Sequence, residues 1–219
     1  MLNIAKHRVL LLQLIKKFFK SPLWPKLAFK WWTSAYFLYW LDRFSTDLDF
    51  DFFWDELVDD IADSILKKYG KVKRSDKIIL SYWEIDTNIK IDINRNIWKN
   101  NKYEILDFFW TEIRVQTKST LFSNKLVALL ERFTNRDIYD VYFFFNNLFE
   151  PNPDLIKERT WKDMKSFYMD VKWRLEKLPE NYKILDWLWE VISDKQKNFV
   201  KNSLVNELIN IIDMQIRFL

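Results

Sequence analysis

In the stretch Asp47-Leu48-Asp49-Phe50-Asp51-Phe52, carboxylates alternate with large apolar side chains. Residues two apart in a β-strand project to one face, so Asp47 and Asp49 would stand side by side, with Asp51 continuing that face. Carboxylates that close repel one another unless something positive lies between them, and a hard divalent cation such as Mg²⁺ takes oxygen ligands of this kind. The chemistry that suits such a pair is in-line displacement at phosphorus, which depends on neutralising charge on the attacking and leaving oxygens, commonly with two metal ions. Asp92, in Lys90-Ile91-Asp92-Ile93-Asn94, is the candidate third carboxylate from a neighbouring strand, with Asp86 as the fallback. An exposed strand that carries Asp for solubility would show the same alternation.

Upstream lies Lys30-Trp31-Trp32-Thr33-Ser34, between a short strand at Leu27-Ala28-Phe29 and a helical pattern from Ser34 to Leu41. A turn from strand into helix is where backbone N–H groups can meet a nucleotide's phosphates, provided small residues let the ligand approach. Glycines at 31 and 32 would make such a cradle, whereas two indoles would fill it; Thr33 and Ser34 add hydroxyl donors. The chain holds 1 Gly and 12 Trp, where ordinary usage gives about 7% glycine, or roughly 15 in a chain of this length. Trp24, Trp98 and Trp110 also fall where turn residues are expected. The composition therefore predicts a gene from a lineage that reads UGA as glycine, translated with a table that reads it as tryptophan.

Two more groups carry charge at helical spacing. Lys125 and Arg132 are two turns apart on one face of a helix, and Asp137 and Asp140 are neighbours on the next. Alone, these would be ordinary solvated ion pairs.

Taken in order, these segments resemble the AbiEii/AbiGii family of nucleotidyltransferase-like toxins of type IV toxin–antitoxin systems. The resemblance runs through Phe29 to Thr33, Asp42 to Phe50, Lys125 to Arg132 and Arg136 to Asp140, departing from the family pattern at Trp31 and Trp32. Ile184 to Glu190 resembles a family tail if Trp187 and Trp189 are read as glycine. The resemblance implies an α+β fold with a polymerase-β-like nucleotidyltransferase core, a mixed β-sheet and a helical C-terminal region. It implies that Asp47 and Asp49 bind Mg²⁺, that Lys125 contacts nucleotide phosphates or activates the acceptor, with Arg132 beside it, and that Asp137 or Asp140 supports catalysis. It also implies an NTP substrate, an acceptor such as tRNA, and an antitoxin encoded nearby.

Around these motifs, helices are predicted over Ile4–Phe19, Asp55–Tyr69, Thr120–Arg132, Arg136–Leu148, Asp154–Lys177 and Asp194–Phe218, with Gly70 as a helix stop. Strands are predicted over Leu48–Phe53, Lys77–Tyr82, Thr87–Asn94 and Glu112–Thr117. Pro151-Asn152-Pro153 marks the expected boundary between a core, 1–150, and a helical region, 151–219.

With 219 residues and 49% hydrophobic content the chain can bury a core. Its 35 basic and 31 acidic residues give +4, which permits nucleic-acid binding without requiring it. Lys99, Lys102, Arg114 and Lys118 are the candidates to meet an RNA backbone, a solvated surface being the plainer reading of each. Cysteine is absent, which excludes disulfides and thiolate chemistry; His7 is the sole histidine, which excludes Ser-His triads. The apolar run Val9–Ile15 is too short to span a bilayer, and a cytoplasmic location is expected. Two other functions fit the same residues: a catalytically inactive interaction protein whose indoles block the cradle, and a nucleotidyltransferase that modifies a small molecule.

Overall fold

In the computed structural model, which describes residues 3–53, 58–74, 77–82 and 88–219, the chain begins with helix α1 (Ile4–Phe19). Asn3 caps it by accepting from the Lys6 N–H, and Lys16 and Lys17 sit in its last turn, where the helix dipole favours cations. His7, Leu11, Leu14, Ile15, Phe18 and Phe19 are its buried positions, a spacing that lays them along one stripe.

Strand β1 (Leu27–Lys30), helix α2 (Trp31–Leu38), strand β2 (Leu48–Phe52) and helix α3 (Val58–Leu66) follow, then strands β3 (Lys71–Arg74), β4 (Ile78–Ser81), β5 (Asn88–Asn94), β6 (Tyr103–Asp107) and β7 (Glu112–Gln116). The seven strands form one mixed sheet in the order β3-β4-β5-β2-β1-β7-β6. β2 is central, antiparallel to β1 and parallel to β5. Its alternation sorts the two faces. Phe50 meets the rings of Phe18 and Phe29 at 5.2 and 5.6 Å, and each such buried side chain contributes about 1.5–3 kcal/mol. Asp49 and Asp51 fall on the opposite face.

β3 and β6 were not anticipated from sequence, and both are edge strands with no buried side chain, β3 mostly exposed and β6 mostly half-buried; an edge needs no apolar alternation and is commonly charged, as Lys71, Lys73 and Arg74 are here. Gly70 is held by a close approach rather than by a helix stop: a Cβ there would collide with the Ser81 carbonyl. The first residues of the helix expected from Asp55 lie outside the described residues.

The remaining helices are α4 (Lys118–Arg132), α5 (Asn135–Asn146), α6 (Pro153–Thr160), α7 (Met164–Glu176), α8 (Asp194–Asn202) and α9 (Leu204–Phe218). Thr117, Thr134, Asn152, Asp163 and Ser193 cap five of them through their side chains. Single helices expected over 154–177 and 194–218 are each broken in two, at Trp161–Asp163 and at Ser203. The contacts divide the chain into one unit of residues 1–40, 44–97 and 103–116, which holds the sheet, and a second of 41–43, 98–102 and 117–219. α4 and α5 thus group with the C-terminal helices, so the units do not part at Pro151. The reason is apolar packing: Phe122 of α4 meets Phe144 and Phe145 of α5 at 5.5 and 4.8 Å. Among the described residues no helix is long and apolar enough to cross a membrane.

Candidate active site

Asp49 lies across from Lys30 on one side and Asp92 on the other, because β2 runs between β1 and β5. Burial pushes its carboxyl up to about 7; the negative charges of Asp47 and Asp92 add to the rise, and Lys30 and Lys77 oppose it. Asp47 stands one residue before β2, part-exposed, its Oδ1 accepting from the Lys90 backbone N–H at 3.4 Å. Asp49 is thus a carboxylate whose ionised form the fold disfavours. A cation between Asp47 and Asp49 would restore its ionised form, and two carboxylates with substrate phosphates and water completing the shell are a usual way of holding Mg²⁺.

The three-carboxylate cage expected from Asp47, Asp49 and Asp92 is not formed: among the described residues no three acidic or histidine side chains are grouped to hold a metal. Asp92 sits beside Asp49 in register, but its Oδ2 is 3.0 Å from Lys77 Nζ. The fallback, Asp86, lies outside the described residues.

Asp51 has a different task from its neighbours. Its carboxylate is 1% exposed and accepts from four side chains on four other strands: Lys30 Nζ at 2.9 Å, Asn94 Nδ2 at 3.2 Å, the Tyr103 hydroxyl at 2.8 Å and Gln116 Nε2 at 2.7 Å. With its oxygens filled, Asp51 is a clamp on the sheet rather than a metal ligand. Lys30, 5% exposed, serves both acids, bonding Asp51 and easing the ionisation of Asp49.

At the turn, Trp31 opens α2 with φ of 61°, and its ring lies 5.0 Å from that of Trp32 and 5.4 Å from Lys30 Nζ. The hydroxyls expected to face phosphate are turned inward. Thr33 is fully buried, donates to the Asp47 carbonyl and pairs with Ser45 Oγ at 2.8 Å, while Ser34 Oγ donates to the Trp31 carbonyl at 2.6 Å. Thr33 therefore fixes the backbone that carries Asp47. His7 supports the same segment from α1. Its Nε2 donates to the Thr46 carbonyl at 2.9 Å, so Nδ1 is the acceptor for the Tyr82 hydroxyl. Burial lowers its pKa against the opposing influence of Thr46 and Asp47, keeping the ring neutral.

In the second unit, Lys125, Arg132, Asp137 and Asp140 converge as their spacing predicts. Lys125 Nζ lies 2.5 Å from Asp137 and 2.7 Å from Asp140. Arg132 grips Asp137 with two nitrogens at 2.7 and 2.8 Å, and Arg43 grips Asp140 with two at 2.6 Å. Lys125, Asp137 and Asp140 have no exposed surface. Burial lowers the Lys125 pKa to about 8, against the pull of both carboxylates; burial would raise that of Asp137, but Lys125 and Arg132 hold it well below the ordinary range. The Lys125 ammonium is thus already committed to two acids. Of the expected RNA contacts, Arg114 donates to the Pro25 carbonyl and stacks its guanidinium over Trp24 and Phe53, while Lys99, Lys102 and Lys118 are exposed.

Sequence reasoning gave no role to Lys30, Arg43 or His7, and none as a clamp to Asp51. Arg43 lies inside the Asp42-to-Phe50 motif, which was its signal; the others depend on strand register and helix docking, which a single sequence does not display.

A mixed sheet with an acidic pair at the start of its central strand, entered from a strand-to-helix turn, defines a nucleotidyltransferase of the polymerase-β type. The chain belongs to the AbiEii family, the nucleotidyl transferase toxins of type IV toxin–antitoxin systems, whose sequence profile matches residues 14–202. Two solved structures from Helicobacter pylori share the fold. One is JHP933, at 19% identity and a TM-score of 0.62 over 100% of this chain and 97% of that one; the other, titled provisionally as a nucleotidyltransferase, is at 20% and 0.64 over 100% and 98%. No curated protein matches in sequence.

The raised Asp49 pKa makes a prediction without substrate. Between its ordinary 3.8 and about 7 the folded chain binds a proton that the unfolded chain does not, so metal-free stability falls as pH rises through that window. Mg²⁺ competes with that proton, and its stabilising shift in a thermal melt is expected to be larger at about pH 8 than at about pH 5. Equal shifts at both values would remove Asp49 from the metal site.

Proposed function

We propose that this chain transfers a nucleoside monophosphate from an NTP to an acceptor hydroxyl in a Mg²⁺-dependent reaction, with tRNA or another component of translation as acceptor. In that reaction the acceptor oxygen bonds to the α-phosphorus as the bond to the pyrophosphate oxygen breaks, and the hydroxyl proton is released. The observation that carries this reading is the Asp47–Asp49 pair, with the ionised form of Asp49 disfavoured by burial and by its acidic neighbours beyond what Lys30 and Lys77 offset. Bound Mg²⁺ would neutralise charge on the phosphates and the leaving pyrophosphate. Asp47 and Asp49 would hold it; Lys30 supports Asp49, Thr33 sets the Asp47 backbone, and the first N–H groups of α2 meet the phosphates. In the second unit, Lys125, Asp137 and Asp140 tie α4 to α5 and position Arg132, whose part-exposed guanidinium is suited to an anionic substrate. Action in the cytoplasm as the toxin of a pair, restrained by an antitoxin encoded nearby, accords with the family.

The test is transfer of label from each α-labelled NTP to total tRNA, with Mg²⁺ and with EDTA. Label in RNA with one or more NTPs, lost with EDTA, is the expected outcome. Label in a small molecule instead would move the acceptor; none anywhere, from protein that carries glycine at 31 and 32, would leave the inactive interaction protein, the reading favoured by the paired indoles at the turn.

A further inference from the structure

We infer that the polypeptide made in the source cell carries glycine, not tryptophan, at positions 31, 40, 110, 161 and 187, through UGA codons read as glycine. The argument is conformational. Trp54 and Trp83 lie outside the described residues, and of the ten other tryptophans five have φ between 60° and 65°. That is the left-handed region, in which a β-carbon crowds the following carbonyl and which glycine alone enters without penalty. Only Phe109, Phe133 and Leu148 share it among all the other described residues. The one glycine present, Gly70, does not adopt positive φ.

At three of these sites the local geometry asks for glycine independently. Trp161 is the left-handed C-cap of α6, its N–H returning to the Lys157 carbonyl at 2.9 Å, and Trp40 follows the C-cap of α2 with φ of 60°; glycine is the usual residue at such helix ends. Phe109-Trp110 is the two-residue loop of the β6–β7 hairpin, closed by reciprocal bonds between Phe108 and Thr111 at 2.8 and 3.2 Å. Both loop residues have positive φ, the mark of a type I′ turn, whose second position favours glycine. The side chains contribute little in return: Trp40, Trp110, Trp161 and Trp187 are 82–91% exposed. Trp173 marks the contrast. It lies inside α7, has ordinary φ and is unaffected. Its codon is UGG.

At Trp31 the inference bears on function and there rests on the nucleotidyltransferase reading, whereas the residue identities do not. Glycine at 31 removes one of the two rings covering the start of α2 and leaves backbone N–H groups to meet phosphate.

Peptide mass spectrometry of protein from its own source decides the matter. The tryptic peptide Tyr103–Arg114 is expected at the mass for glycine at 110, and the fragments of Trp31–Arg43 at the masses for glycine at both 31 and 40, whichever residue stands at 32; tryptophan at 110 or 40 overturns the inference. In the recombinant chain, Trp110→Gly and Trp161→Gly are each expected to raise the melting temperature and Trp173→Gly to lower it. A fall for both of the first two overturns the conformational argument. ATP and GTP binding by Trp31→Gly against the tryptophan chain is a separate readout. Glycine in the peptides with no nucleotide bound would sink the nucleotidyltransferase reading and leave this inference standing.

Discussion

Asp47→Ala and Asp49→Ala are each expected to lower nucleotidyl transfer by about 10²–10³-fold or more, the usual cost of removing a group that stabilises charge in a phosphoryl or acyl transition state. The two should differ in stability. Removing the Asp49 carboxyl, whose ionisation is disfavoured in the fold, is expected to leave the metal-free melting temperature unchanged or raise it near neutral pH, so the loss of activity cannot be ascribed to unfolding. Mg²⁺-dependent stabilisation should vanish with it. An Asp49→Ala chain that transfers label at the parent rate would refute the metal assignment.

The largest stability effect is expected at Asp51. Replacing it with alanine leaves the Lys30 ammonium buried without a counter-charge and strips three further donors of their acceptor, and breaking a buried pair in this way costs about 3–5 kcal/mol. For a chain of this size that corresponds to a drop of about 10 °C in melting temperature. Asp51→Asn keeps the shape but still isolates the lysine charge and should fall between the two. A double change, Lys30→Met with Asp51→Leu, is expected to recover part of the stability while abolishing transfer, because Lys30 also supports Asp49. A melting temperature for Asp51→Ala within about 2 °C of the parent would show that the four hydrogen bonds are not the clamp they resemble.

The acidic pair was legible because alternation is a local property: Asp47-Leu48-Asp49-Phe50 fixes which side chains share a face whatever the sheet does. The helix starts after Thr134 and Ser193 were legible to within a residue for a similar reason, since each cap lies within three residues of the N–H it accepts, whereas α4, expected from Thr120, begins at Lys118. Register was not. Whether Asp51 meets a metal or Lys30, Asn94, Tyr103 and Gln116 depends on which strands flank β2, and those residues are 21 to 65 positions away. The edge strands β3 and β6 escaped because a strand with no fully buried face needs no apolar period. The break after α6 escaped for another reason: a tryptophan at 161 reads as a continuing apolar stripe, whereas a glycine there would have read as a stop.

The neutral imidazole of His7 ties the far N-terminal helix to the carbonyl of Thr46, next door to Asp47. Trimming a few residues too many from the front of the chain would therefore slacken the leash on a metal-gripping acid forty positions onward, and catalysis would suffer from a cut that touches no substrate.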